Sequence, residues 1–129
     1  MALMPPLSPA PYYLASPYTH PSRLTRHQRY LDLRHFAGPL MAMGYYVYAP
    51  ILNTHPVADL YGLPVEFEWW EGFNRAFIER SAGIIVADID GWRESRGVAH
   101  EIALGRELGL GVWLMTREGN IEELENGSI

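Results

Sequence analysis

The sequence predicts an α/β domain of three layers, a parallel sheet of four to five strands with helices on both faces. Two observations predict it. Apolar runs and helical stripes alternate in the order strand, helix, strand, helix, strand, helix, strand, and such alternation needs crossovers that cover both sheet faces. Residues 84–115 by themselves read as one βαβ unit, with a buried strand, a turn at Gly91, a helix capped by Ser95 that ends near Gly109, and a second buried strand.

The elements follow in order. Residues 1–11, with Pro5, Pro6, Pro9 and Pro11, read as an extended, mobile lead without the basic and apolar regions of a signal peptide. Residues 12–129 form a single domain. Its first strand is the apolar run Tyr12–Ala15, closed by Ser16-Pro17. After a loop, Ser22 can cap a helix over residues 23–43 whose inward face carries Leu33, Phe36, Ala37, Leu40 and Met41, with Gly44 at its end. Pro39 should kink or split that helix near His35. Residues 45–49, aromatic with one valine, read as a second strand stopped by Pro50. Pro56, Gly62 and Pro64 make residues 53–64 a loop. Glu66, Trp70, Phe73 and Phe77 then recur at helical spacing, up to Ser81-Ala82-Gly83. The βαβ unit follows, and the polar tail 116–129 contains IEELE, a short-helix candidate.

At 129 residues, 48% of them hydrophobic and 19% charged, the chain suits one soluble globular domain. A formal net charge of -5 argues against binding a nucleic acid polymer or an anionic membrane. There are no cysteines, which excludes thiol chemistry and disulfides and leaves a cytoplasmic setting as the default. No apolar run approaches the roughly 20 residues of a membrane span. The five histidines lack close metal-ligand spacing, so neither a metal nor another cofactor is expected.

One acidic residue stands out. With Val98, Ile102, Gly105 and Gly109 facing inward, the helical period puts Glu101 at the edge of that stripe. A carboxylate turned toward a sheet loses solvation unless it is paired or used. Glu101 is therefore either a working group or a structural carboxylate held by Arg23, Arg75 or a backbone amide. If the sheet has the flavodoxin-like order, ligands bind between strands one and three, and Glu101 reaches into that crevice.

The residues that flank the crevice resemble a known family. Tyr13-Leu14-Ala15-Ser16-Pro17-Tyr18, then Val47-Tyr48-Ala49-Pro50-Ile51 with His55-Pro56, then Trp70, and finally Gly91-Trp92 with Ser95-Arg96-Gly97-Val98-Ala99-His100-Glu101 are similar to the nucleoside 2-deoxyribosyltransferase-like superfamily. The likeness runs from Tyr12 to about Met115 and rests on the order and spacing of short motifs. It implies that Glu101 attacks the anomeric carbon of a 2-deoxyribosyl unit, giving a glycosyl-enzyme ester. Tyr13 would orient Glu101. Relatives acting on nucleosides carry aspartate six residues before the nucleophile, where this chain has Ser95. Serine, with the Gly97 and Val98 amides at a helix start, suits a 5′-phosphate.

The resemblance therefore implies hydrolysis of the N-glycosidic bond of 2′-deoxynucleoside 5′-monophosphates. Base exchange by a deoxyribosyltransferase is the alternative, and a nucleotide-binding module without turnover is another. Asn74 stands where the family usually has an aspartate facing the base; it can hydrogen-bond a base but supplies no acidic proton. That leaves protonation of the leaving base to Glu71 or to water. Ser16, Pro17, His55, Asp90 and Trp92 complete the substrate-contact candidates, with Trp92 as a cover for the ligand and Asp90 shared with the Asp-Gly turn. Relatives complete each pocket with a neighbouring subunit, so a homodimer or larger homo-oligomer is implied. The aromatics around Tyr45, Tyr46, Tyr48, Trp69 and Trp70 would serve core and interface, and Arg117 or Asn120 would be the donated group.

Overall fold

The computed structural model describes residues 4–125. Its elements are β1 (Tyr12–Ala15), α1 (Arg23–Ala42), β2 (Val47–Tyr48), α2 (Pro50–Tyr61), α3 (Phe67–Ile78), β3 (Gly83–Ala87), α4 (Arg96–Glu107), β4 (Gly111–Met115) and β5 (Ile121–Glu123). The sheet order is β2-β1-β3-β4-β5. Four strands are parallel and β5 returns antiparallel along β4, with Met115 opposite Ile121. The expected α/β class and flavodoxin-like order are thus observed.

Alternation along each strand sorts the core onto two faces. Tyr12, Leu14, Ile85, Ala87, Trp113 and Met115 pack with α1 and α2 residues such as Leu33, Leu40 and Ile51. Tyr13, Ala15, Ile84, Val86 and Val112 pack on the other side with Ile78, Val98 and Ile102 of α3 and α4. Both faces of β1 and β3 are covered, which is why these strands read as unbroken apolar runs. At Gly83, where β3 enters between its neighbours, there is no room for a side chain. A Cβ on Gly83 would lie 2.8 Å from the Trp113 ring and 2.9 Å from the Tyr12 ring. Gly83→Ala should therefore cost about 2 kcal/mol in urea unfolding, and no loss would mean that the two rings can move aside.

Four expectations about elements are corrected. Residues 53–64 are mostly helix: Pro50 opens α2 in its first turn, where no N–H is needed, and Ile51, His55 and Ala58 form a buried stripe. Pro56 is accommodated inside it, and Gly62 ends it in the left-handed region at φ 62°. Helix α1 runs unbroken through Pro39, which lies one turn before its end with its ring exposed. The second strand is only two residues long. In the tail, a turn closed by Thr116 N–H to Asn120 O turns the chain back, so IEELE begins as strand β5 with Ile121 buried and both following glutamates exposed. Residues 1–3 of the lead and 126–129 of the tail lie outside the described residues. The rest of the lead is without helix or strand, and three of its carbonyls are engaged: Tyr45 Oη donates to Pro5 O at 2.6 Å, Tyr12 Oη to Pro6 O at 2.5 Å and the Ala82 N–H to Pro11 O at 2.7 Å. Among the described residues no helix is long and apolar enough to cross a membrane.

Candidate active site

Strands β1 and β3 are neighbours, yet β1 leads away to α1 and β2 on one side and β3 to α4 and β4 on the other. Their carboxyl ends therefore open a crevice where the strand order reverses. A cleft of about 570 Å³, counting its open mouth, lies there. Ser16 and Tyr18 after β1, Thr54 of α2, Trp70 and Asn74 of α3, and Glu101 of α4 line it.

Glu101 is only 8% exposed. Ser95 caps α4 by accepting from Val98 N–H at 3.1 Å, and the fixed helix start sets Glu101 in its second turn, over the sheet. The Tyr13 hydroxyl donates to Glu101 Oε2, and Asn74 Nδ2 donates to the same oxygen at 3.3 Å. Neither cation considered from the sequence reaches it. Arg23 pairs with Asp59 at 2.7 Å, and Arg75 with Glu71 and Glu79. Burial raises the Glu101 carboxyl to about 7, against the pull of the Tyr13 hydrogen bond in the other direction. Burial, and then the Glu101 charge, hold the Tyr13 phenol well above its usual 10, so Tyr13 stays a donor. The result is a buried carboxyl held by two neutral donors on the cleft wall.

Ser16 Oγ is buried in the cleft wall and has no hydrogen-bond partner. A buried hydroxyl without a partner costs stability and is a natural contact for a ligand oxygen. Gly97 and Ser95 also line the cleft. Five expected contacts are placed elsewhere. The Val98 side chain is in the core and its amide is used by Ser95. Trp92, 3% exposed, belongs to the same core and does not cover the cleft. Pro17 is buried and Asp90 exposed, both off the cleft wall. His55 is 2% exposed and sits on α2 behind the wall, because α2 is a helix, not the expected loop, and His55 lies on its inner stripe. Asn74 lines the cleft as expected, but its amide is held on Glu101. Glu71 is turned to Arg75 and His100, the latter at 3.2 Å, outside the main cleft.

Tyr18, Thr54 and Phe67 line the cleft without having been singled out as contacts. Tyr18 follows Ser16-Pro17 directly, and that adjacency was a usable signal; Thr54 became visible only with α2. Among the described residues no group of three or more histidine, aspartate or glutamate side chains is arranged to hold a metal ion.

No curated protein matches the chain. A family model described as a domain of unknown function (DUF1937) matches residues 10–117. That span takes in all four parallel strands and every cleft residue named above, and the chain belongs to this family.

Proposed function

We propose that the protein hydrolyses the N-glycosidic bond of 2′-deoxynucleoside 5′-monophosphates, with Glu101 as the nucleophile. The observation that carries the reading is the buried Glu101 carboxylate at the reversal point of the sheet, held by Tyr13 and Asn74 beside an unpartnered Ser16 hydroxyl. Such a group is expensive to keep for structure alone. Its ionised oxygen attacks C1′ as the base leaves, and water then opens the glycosyl ester. A deoxyribosyl unit favours this path, since no 2-hydroxyl opposes the positive charge that builds on the ring. Ser16 contacts a sugar or phosphate oxygen, and Ser95 with the Gly97 amide receives the 5′-phosphate at the start of α4. The likeness of residues 12–115 to nucleoside 2-deoxyribosyltransferase-like proteins supports the same chemistry. The reaction needs no cofactor, and we place it in the cytoplasm. Exposed Tyr46, Trp69 and Phe73 suit packing against a second copy of the chain.

The test is incubation with deoxynucleoside monophosphates, deoxynucleosides and ribonucleotides, following free base by chromatography. Base release from the deoxynucleoside monophosphates is expected, with little from the other two. A new nucleotide formed when a second free base is added would make the protein a transferase. A monophosphate that raises the melting temperature and survives intact would make it a binding module.

A further inference from the structure

A base that departs with the bonding electron pair is stabilised by a proton. Asn74 has none to give, and Glu71 is engaged outside the cleft. On the cleft wall, however, the Tyr18 hydroxyl lies 2.6 Å from His55 Nδ1, and His55 Nε2 lies 3.0 Å from His27 Nδ1. His27 is exposed on α1, while His55 is buried between α1 and α2 with the Tyr30 ring 4.8 Å from its own. Three side chains from three separate segments thus link the cleft to solvent through the molecule. A neutral imidazole holds its proton on either nitrogen, and with its neighbours reoriented either tautomer of His55 completes the chain.

We propose that Tyr18, His55 and His27 form a proton relay from solvent to the leaving base; this rests on the glycosidase reading of the cleft. As the C1′–N bond breaks, its electron pair passes to the base and a Glu101 oxygen forms the new bond to C1′. The base takes the phenolic proton of Tyr18. Tyr18 Oη takes the proton on His55 Nδ1, and His55 Nε2 takes the proton on His27 Nδ1. His27, exposed on α1, takes a proton from water at Nε2 in exchange for the one it gives.

The surroundings fit this role. Burial lowers the His55 pKa; His27, Arg26 and Arg23 of α1 act the same way, and Asp59 on its own helix opposes them. His55 therefore rests neutral and passes protons by changing tautomer instead of storing charge. Burial raises the Tyr18 phenol, with Asp59 adding to this and Arg26 opposing, so Tyr18 rests protonated and ready to donate.

The test compares two leaving groups in wild type, Tyr18→Phe, His55→Gln and His27→Gln. One substrate is a natural deoxynucleoside monophosphate. The other is 4-nitrophenyl 2-deoxyriboside 5-phosphate, whose leaving group departs as a stable anion and needs no proton. Tyr18→Phe and His55→Gln should slow base release about 100-fold and leave nitrophenolate release within about threefold. His27→Gln, at the exposed end, should slow base release about tenfold. Tyr18→Phe keeps its ring on a half-exposed wall, so it carries the test even where His55→Gln fails to fold. Equal losses on both substrates, or no loss of base release, would overturn the relay while the glycosidase reading stands. A wild type that releases neither leaving group would overturn that reading, and the relay with it.

Discussion

The Glu101→Gln variant should release base at less than about a thousandth of the wild-type rate, and yet it should resist urea better than wild type near about pH 8. Glutamine keeps the shape and can still accept from Tyr13 and Asn74, but it cannot form a glycosyl ester. The stability gain follows from the carboxyl's titration. Burial raises it from 4.5 to about 7, so as pH rises through this window the unfolded chain gives up its proton first. The folded state then holds more protons, and its stability falls with rising pH. Below 4.5 both states are protonated and nothing is lost. Above about 7 both are ionised and the loss is complete, about 3 kcal/mol. Glutamine does not titrate. The variant's advantage should therefore be up to about 3 kcal/mol near pH 8 and vanish near pH 4. A variant that retains base release would remove Glu101 from the nucleophile's role, and an advantage independent of pH would mean that the carboxylate is not strained by burial.

Tyr13→Phe should move the rising limb of the pH–rate profile to higher pH and lower the rate at about pH 7 roughly tenfold, with recovery toward alkaline pH. The hydroxyl is the group that draws the Glu101 pKa down against burial. Without it the carboxylate keeps only the longer bond from Asn74 at 3.3 Å. The phenyl ring remains in a fully buried place, 6.2 Å from Tyr48, so the core is retained. Stability near pH 8, where Glu101 is ionised, should fall by about 2 kcal/mol, because a charged acceptor loses a partner. A uniform fall in rate with the limb unmoved would show that Tyr13 holds the sheet and not the charge.

The central sheet was legible because parallel strands covered on both faces are apolar at every position, and β1, β3 and β4 are such runs. Glu101 was legible because a helix stripe assigns faces, and Ser95 fixes where that helix starts. Helix α2 was not. Its prolines weigh heavily in a local reading, whereas the stripe Ile51, His55, Ala58 that holds it gains its energy from β1 and α1 across the chain. The misplacement of His55 follows from that one error. Trp92 illustrates a different limit: its neighbours in sequence are polar, and only the folded chain turns its ring into the core beside Val98. The Asn74 contact to Glu101 spans 27 residues and has no local signature.

Both margins of the sheet are short. At one side stands β2, with two residues, and at the other β5, with three, of which Glu122 and Glu123 project charge into water. A margin of this length offers few free backbone groups to an incoming strand, and like charges on identical chains repel one another there. The protein is thereby guarded against adding strands end over end into fibres, and any association between copies is left to its helical faces.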